Sequence, residues 1–246
     1  MEPMGVILPA AGRSTRFADN RNKLLESLNG RPVIAYAIDA FLCRDDVAAI
    51  VIPTHDTQTI AAALRQPLDK RILFCPGGPT RAHSVHNALN ALDPSIAWIA
   101  VHDAARPLIS QELINRTLQA ARQHGAAVPA LPVHLTIKQA LGPLPAPVQR
   151  TIPRNTLFAM QTPQIMRRTA LLHAFAACPL PLDAVTDDAQ LLELAGEQVW
   201  LVDGHEHNLK ITTATDLHLA EFILAAQDTR KTSPPKADQN DAPPAK

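Results

Sequence analysis

A short loop of small residues follows the first apolar run of the chain, and two cations come soon after it. The residues concerned are Pro9, Ala10, Ala11 and Gly12, then Arg16 and Lys23. Small residues let the backbone approach a ligand closely, and successive backbone N–H groups can hold phosphate oxygens. The cations suit a triphosphate, although a solvated loop with scattered charges would have the same composition. The segment is neither a Gly-x-Gly-x-x-Gly fingerprint nor a Walker loop, which disfavours a dinucleotide dehydrogenase and a P-loop ATPase.

A Gly-Gly turn, Gly77 and Gly78, comes directly after the third predicted strand. The carboxyl ends of parallel strands share one edge of a sheet, so this turn is expected beside the first loop. Two such loops can sandwich a base between backbone groups, and Ser84 could offer the base a hydroxyl. Gly-Gly turns are also common without any ligand, so this segment alone leaves both readings open.

The segment Val101–Pro107 carries a carboxylate and a guanidinium at the end of the most apolar predicted strand. A carboxylate beside a phosphate-binding loop is well placed to hold Mg²⁺, which favours carboxylate and phosphate oxygens. Asp103 is therefore the candidate metal residue. Arg106 could bind a second anionic substrate bidentately. The alternative is structural, with Asp103 capping the next turn and Arg106 as its surface partner.

Later polar segments are weak signals when taken singly, because each could be a cap or a surface charge. They are Thr136 with Lys138, Arg154, Gln161–Gln164, Thr186–Asp188 and Asn208–Lys210. Lys210 differs from the others because it lies in a short extended stretch, whereas a lysine that only solvates the surface more often lies on a helix face.

These residues need a scaffold that brings strand ends together, and the hydrophobic pattern predicts one. Apolar runs alternate with segments of helical period, which is typical of βαβ units in an α/β protein with a mostly parallel sheet. The predicted strands are Gly5–Pro9, Val47–Pro53, Ile72–Cys75, Ile96–His102, Ala126–Leu131 and Gln198–Val202. The predicted helices are Pro32–Cys43, Thr80–Leu92, Ser110–His124, Arg154–Met160, Met166–Ala177, Thr186–Ala195 and Ala214–Ala226.

Two segments depart from this alternation. Between 132 and 153, prolines flank two polar-alternating stretches, which predicts a β-hairpin arm outside the sheet. A lone hairpin cannot form a core, so the arm should pack on a second subunit or fold back over the site. From 227 to 246 the chain has four prolines and no apolar period, so we expect a disordered tail.

Composition narrows the class of protein. The 246 residues are 46% hydrophobic and 19% charged, with 23 basic side chains balancing 23 acidic ones, which excludes a disordered chain and a broadly basic nucleic-acid binder. Aromatic residues, at 4%, are too few for stacking platforms that bind single strands. Three distant cysteines predict reduced thiols, and no signal peptide or membrane span is evident, so we expect a soluble cytoplasmic protein.

In this order, the segments resemble those of the 2-C-methyl-D-erythritol 4-phosphate cytidylyltransferases of the non-mevalonate isoprenoid pathway. The resemblance runs from about Gly5 to Ala226, and Val101–Pro107 matches the family motif Val-His-Asp-Ala-Ala-Arg-Pro at every position. It implies one nucleotidyltransferase domain over 1–226 with a Rossmann-like sheet and an arm at about 132–153. It also implies a homodimer with exchanged arms, a Mg²⁺ cofactor, and transfer of CMP from CTP to methylerythritol phosphate with release of pyrophosphate.

The resemblance also implies a role for each matching residue. Arg16 and Lys23 would hold the triphosphate, and Lys210 would neutralise the α-phosphoryl group under attack. Asp103 would lie near Mg²⁺ and the ribose. Cytosine would be read by Pro9, Ala10, Ala11, Gly12, Gly77, Gly78 and Ser84. The acceptor would be held by Arg106, Thr136, Arg154 and Thr162, with Thr136 and Arg154 reaching in from the arm of the partner subunit.

The sequence departs from the family pattern at a few positions. Ser14 replaces a glycine, Asn22 replaces the proline before Lys23, and carboxylates are replaced at His83, Leu135 and Pro153. The last two lie on the arm. Two other functions therefore stay open at this point: a CTP-dependent transferase acting on another polyol phosphate, such as ribitol 5-phosphate, and a non-catalytic nucleotide-binding homologue.

Overall fold

An eight-stranded sheet forms the centre of the structure, a computed structural model that describes residues 2–12, 17 and 22–232. Its strands are β1 (Met4–Ile7), β4 (Val47–Thr54), β5 (Ile72–Pro76), β6 (Trp98–Val101), β7 (Ala126–Pro132), β10 (Phe158–Met160), β11 (Gln164–Arg167) and β12 (Trp200–Asp203). Two small hairpins pair β2 (Ser27–Leu28) with β3 (Arg31–Pro32), and β8 (Ile137–Ala140) with β9 (Val148–Ile152). The predicted residues Arg16 and Ser14, and the tail from 233 to 246, lie outside the described residues.

Seven helices are described in these ranges: α1 (Val33–Leu42), α2 (Thr57–Ala63), α3 (Arg81–Ala91), α4 (Gln111–His124), α5 (Arg168–Ala177), α6 (Asp188–Leu194) and α7 (Ala214–Thr232). Helix α4 shows how local sequence sets the ends. Ser110 caps it by accepting a hydrogen bond from Leu113 N–H at 3.1 Å, and Gly125 ends it with a φ of 94°. Both signals are the expected ones for a helix start and stop.

The predicted mostly parallel sheet is confirmed. Strands β5, β4, β1 and β6 lie side by side and are parallel, so their carboxyl ends meet at one edge. Strand β12 runs parallel to β7, whereas β10 and β11 are antiparallel to their neighbours.

Side chains on the two faces of the sheet enter different cores. Val6 and Ile50 belong to one apolar cluster, and Ile7 and Val51 belong to the other. Strands that are buried on both faces have continuous apolar runs. These runs allowed the strands to be predicted from the sequence.

The predicted helix Arg154–Met160 is wrong. Phe158–Met160 forms β10, which pairs with the outer half of β7, while a turn closed by Leu157 N–H on the Arg154 carbonyl precedes it. Seven residues make a marginal helix in water, and the open edge of β7 offers them backbone partners instead.

Other elements also differ from the prediction. Met166 belongs to β11, so α5 begins only at Arg168. Helix α2, capped by Asp56, was not predicted at all. The last helix continues to Thr232 instead of ending at Ala226.

The predicted arm is an antiparallel hairpin, β8 with β9, that leaves the sheet after β7 and returns at β10. Its apolar side chains have no core of their own, since Leu135 is 77% and Leu144 is 85% exposed. No helix in the described part of the chain is long and apolar enough to cross a membrane. The three cysteines are not disulfide-bonded.

Candidate active site

A cavity of about 640 Å³ opens at the carboxyl edge of β1, β4, β5 and β6. The predicted residues that line it are Pro9, Ala11, Gly12, Lys23, Gly77, Gly78, Ser84, Asp103 and Lys210. Ala10 lies in the same loop but is 5% exposed. The parallel strands therefore bring together segments more than 190 residues apart, as the edge rule for such sheets requires.

Two loops touch at one side of this cavity. Ala10 N–H donates to the Pro53 carbonyl at 3.0 Å, and Gly77 N–H donates to the Thr54 carbonyl at 2.9 Å, so both loops are anchored to the end of β4. A Cβ on Gly77 would lie 2.3 Å from the Cβ of Ala11. Only glycine allows this approach, and because the loops touch here they form one continuous wall of the cavity and do not sandwich a ring between Ala11 and Gly77.

Ser84 holds the second loop in shape. Its Oγ accepts from Gly78 N–H at 3.0 Å and donates to the Thr80 carbonyl at 2.9 Å. Because the hydroxyl proton is used inside the turn, Ser84 Oγ can only accept a further hydrogen bond. His83 has Nδ1 2.8 Å from the Thr80 Oγ1 and so interacts with the N-terminal cap of α3.

Asp103 lies among three cations on the floor of the cavity. Its Oδ2 is 3.0 Å from Lys210 Nζ and 3.2 Å from Arg106 Nε, and its Oδ1 is 3.8 Å from Arg81 Nε. Burial alone would raise the pKa of Asp103, but the charges of Lys210, Arg81 and Arg106 outweigh it and hold the pKa well below its usual range. The carboxylate is therefore ionised and keeps Lys210 at the cavity wall.

Arg81 and Asp188 were not predicted as site residues. Arg81 NH2 is 2.8 Å from the Asp188 carboxylate, which is buried, and the guanidinium also faces Asp103. Burial raises the pKa of Asp188, and the charge of Arg81 opposes that rise. The sequence did contain a signal, because Arg81 lies between the Gly-Gly turn and Ser84, and Asp188 follows Thr186 and Asp187.

Lys23 lines the cavity from the first loop. Its Nζ donates to the Ile211 carbonyl at 2.8 Å, which ties the loop to the segment that carries Lys210. The Oδ1 of Asn22 accepts from Leu24 N–H at 3.1 Å. Asn22 thus forms a local side-chain turn around Lys23.

The four residues predicted to hold the acceptor fall into two groups. Arg106 and Thr162 are buried beside Asp103, at 9% and 4% exposure, and Arg106 donates to the Asn208 carbonyl at 2.7 Å. Thr136 and Arg154 lie on the exposed arm, where Arg154 donates to the His134 carbonyl, and neither lines the cavity of a single chain.

Gln161 and Asn208 were singled out only as weak signals, yet they join the segments around the cavity. Asn208 Nδ2 donates to the Thr162 carbonyl at 2.8 Å. Gln161 Nε2 donates to the His205 carbonyl at 2.9 Å, and Gln161 Oε1 accepts from His205 N–H at 3.1 Å. These bonds fix the stretch leading to Lys210 against the loop between β10 and β11.

Within the described residues no group of three His, Cys, Asp or Glu side chains could hold a metal ion by itself. Mg²⁺ does not need such a group, because it usually takes one or two carboxylates together with substrate phosphates and waters. Asp103 fits that requirement, since its Oδ2 faces Lys210 and Arg106 while its Oδ1 faces only the more distant Arg81.

Known proteins of one family resemble this chain over most of its length. Residues 4–226 match the sequence-family model described as 2-C-methyl-D-erythritol 4-phosphate cytidylyltransferase (IspD). Enzymes of that description from Gloeobacter violaceus and Streptomyces avermitilis are 41% and 38% identical, covering 94% and 89% of this chain and 100% and 90% of their own lengths.

Solved structures of similar proteins have the same fold. The Francisella tularensis 2-C-methyl-D-erythritol 4-phosphate cytidylyltransferase aligns with a TM-score of 0.77 at 30% identity, covering 89% of this chain and 99% of that one. The Thermus thermophilus enzyme aligns with a TM-score of 0.71 at 33% identity, covering 92% and 100%.

Proposed function

The chain belongs to the 2-C-methyl-D-erythritol 4-phosphate cytidylyltransferase family, and we propose that its cavity transfers CMP from CTP to 2-C-methyl-D-erythritol 4-phosphate. The products are CDP-methylerythritol and pyrophosphate. The observation that carries the proposal is the cluster of Lys210, Arg106 and Arg81 around Asp103 at the carboxyl edge of the sheet. Four anionic phosphates must meet during the reaction, and this cluster has more positive than negative charge.

The nucleotide lies with its base against the wall that the loops of Ala11 and Gly77 form together and with its phosphates toward the cations. Ser84 Oγ, whose own proton is used inside the turn, accepts from a base amino group. Lys23 and Lys210 face the triphosphate from two sides of the cavity. Arg16 is proposed as a further ligand of the triphosphate from the family resemblance.

The reaction is an in-line displacement at the α-phosphorus of CTP. An oxygen of the acceptor phosphate forms the new bond to that phosphorus, the bond to the β-phosphate oxygen breaks, and pyrophosphate leaves with the electron pair. No general base is needed, because a phosphate monoester is already ionised at neutral pH. Lys210, held by Asp103, neutralises charge on the α-phosphoryl group, so catalysis consists of positioning and charge stabilisation.

We assign Mg²⁺ to the same site, with Asp103 as the residue that holds it. The bound ion would supply further neutralisation of the triphosphate charge. Arg106 of one subunit, which is buried beside Thr162, binds the acceptor together with Thr136 and Arg154 of the partner subunit. This requires a homodimer with exchanged arms, and the exposed apolar side chains of the arm support it. The unpaired cysteines suit a cytoplasmic enzyme.

The test measures pyrophosphate release from CTP and Mg²⁺ with methylerythritol phosphate, with ribitol 5-phosphate and without acceptor. Wild type should respond to methylerythritol phosphate. Lys210→Ala should lower kcat by about 10²- to 10³-fold, the usual loss for one preorganised charge donor. Lys70→Ala removes an exposed lysine outside the cavity and is the matched control.

Each alternative has its own outcome in this assay. Release with ribitol phosphate only would change the acceptor and keep the mechanism. CTP binding without release for any acceptor would favour the non-catalytic function. Equal activity of Lys210→Ala and Lys70→Ala would contradict the role of Lys210.

A further inference from the structure

The turn that carries Asp103 and Arg106 is held at both of its ends by one imidazole. The turn is closed by Arg106 N–H on the Asp103 carbonyl at 2.9 Å. His102, the last residue before it, is completely buried, and its ring packs edge-on against Phe41 at 5.4 Å between centroids. The proposed reaction does not use His102 directly. A buried polar ring must nevertheless have hydrogen-bond partners.

The two ring nitrogens of His102 reach opposite ends of the turn. Nε2 is 3.1 Å from the Arg106 carbonyl oxygen, at the end of the turn. Nδ1 is 3.0 Å from the Thr162 Oγ1, which also accepts from Asp103 N–H at 3.0 Å, at the start of the turn. The ring therefore binds one end directly and the other through a single hydroxyl.

The chemistry of the partners fixes every proton in this chain of bonds. A carbonyl oxygen can only accept, so Nε2 of His102 carries the proton and Nδ1 of the neutral ring is an acceptor. Thr162 must then donate its hydroxyl proton to Nδ1 while it accepts from Asp103 N–H. With its proton committed, Thr162 has none left to donate to an acceptor phosphate.

The segment that carries Lys210 is attached to the same turn at three points. Lys210 Nζ contacts the Asp103 carboxylate at 3.0 Å, Ile211 N–H donates to the Ala105 carbonyl at 2.8 Å, and Arg106 NH1 donates to the Asn208 carbonyl at 2.7 Å. A shift of the turn would therefore move the ammonium group that faces the reacting phosphorus.

We propose that His102 is a positioning residue: with Thr162 it clamps both ends of the Asp103–Arg106 turn and thereby fixes where Asp103 and Lys210 meet the substrates. Thr162 belongs to this clamp and is not a direct ligand of the acceptor. This inference rests on the proposed cytidylyl transfer, since the positioned groups are those of that reaction.

The experiment compares Thr162→Val, which keeps the shape and removes the hydroxyl, with Thr162→Ser, which keeps the hydroxyl. Displacement of a reacting group by about 1 Å can cost on the order of 10²-fold in rate, so we expect kcat of Thr162→Val to fall to that extent. The KM values for CTP and for methylerythritol phosphate should change little and equally. Thr162→Ser should recover most of the wild-type kcat.

Thr117→Val is the matched control. Thr117 is buried, like Thr162, and donates its hydroxyl proton within α4, to the Leu113 carbonyl at 2.7 Å. It should lose stability to a similar extent with unchanged kcat. A selective rise in the KM for methylerythritol phosphate in Thr162→Val would show direct acceptor binding and overturn the proposal, as would an unchanged kcat.

A second measurement does not depend on activity or on a variant that folds. The ¹⁵N chemical shifts of the His102 ring in the wild-type protein should show the neutral form protonated at Nε2. Protonation at Nδ1 instead would overturn the clamp even if the enzyme is active. Absence of turnover by wild type with any acceptor would refute the proposed function, while these shifts would still decide the geometry.

Discussion

Asp103 carries one negative charge among Lys210, Arg106 and Arg81, and the buried Asp188 on the far side of Arg81 brings in a second. With Lys23 on the opposite wall, the cavity keeps a surplus of positive charge for an anionic ligand. Each cation is held before the ligand arrives, so little ordering entropy is lost on binding. The two carboxylates therefore act mainly by orienting the cations: Asp103 orients Lys210 and Arg106, and Asp188 orients Arg81.

Replacement of Asp188 by asparagine tests the buried end of this network. The substitution removes the buried charge that compensates Arg81, and we expect the free energy of unfolding to fall by about 1 to 3 kcal/mol, less than for a fully buried pair because Arg81 keeps Asp103 as a partner. Urea unfolding measures this. Asp39→Asn, which breaks an exposed pair with Arg31, should cost less than about 1 kcal/mol. Equal losses in the two variants would contradict the argument.

The buried imidazole predicts how stability depends on pH. Burial lowers the pKa of His102 from 6.5 to about 4. The unfolded chain therefore takes up this proton first as the pH falls. The contribution of His102 is complete above pH 6.5 and decreases between 6.5 and about 4, by up to about 3 kcal/mol. Urea unfolding of wild type and His102→Gln across this range should give a flatter profile for the variant, and parallel profiles would refute the assignment.

At the scale of elements, the cavity exists because loops after β1 and β5 are anchored to the end of β4, which lies between those strands. The approach of Gly77 to Ala11 is closer than any side chain would allow. Between β10 and β11, Thr162 contacts the Asp103 turn through its hydroxyl, and the side chain of Gln161 contacts Asn208.

Gly77→Ala tests the contact between the two loops. The added methyl group must push the loops apart, so we expect CTP affinity to fall by roughly tenfold or more and stability to drop by about 1 to 3 kcal/mol. Isothermal titration with CTP and urea unfolding measure both effects. Gly142→Ala on the arm, where an added Cβ meets no atom within 4 Å, is the control and should bind CTP like wild type. Similar CTP affinities for the two variants would argue against the wall formed by the two loops as the base site.

At the scale of the whole molecule, one chain supplies only part of the proposed site. Lys210 and Asp103 line the cavity, but Arg154 and Thr136 lie on an arm that contributes no residue to it. The arm is also the most exposed apolar part of the described chain, with Leu144 at 85% and Leu135 at 77%. Exchange of arms between two copies would cover these side chains and complete the acceptor site together.

Mixing two inactive variants tests this arrangement. In a heterodimer of Lys210→Ala and Arg154→Ala, one site carries both substitutions and the other carries neither. An equal mixture whose subunits exchange freely should therefore recover roughly a quarter of the wild-type specific activity. Pyrophosphate release by each variant alone and by the mixture measures it. No recovery, in a mixture shown by mass spectrometry to contain heterodimers, would mean that Arg154 acts within its own chain.

The amino-acid sequence by itself determined the features that depend on local pattern. Continuous apolar runs marked the parallel strands, Ser110 and Gly125 marked the ends of α4, and clustered prolines marked the arm. The carboxyl ends of parallel strands share one edge of a sheet. Asp103 and the small-residue loops each follow a predicted parallel strand, so the sequence predicted that they lie at one edge.

The tertiary structure decided whatever depends on a partner far along the chain. The stretch 158–160 became a strand because β7 had a free edge, against its own helical pattern. Arg81 meets Asp188 across 107 positions, and His102 meets Thr162 across 60. A hydrogen bond or ion pair forms only where packing brings both groups within about 3 Å in a dry environment. The spacing of residues in the sequence does not determine that distance. The His102–Thr162 clamp and the Arg81–Asp188 pair could therefore be identified only from the tertiary structure.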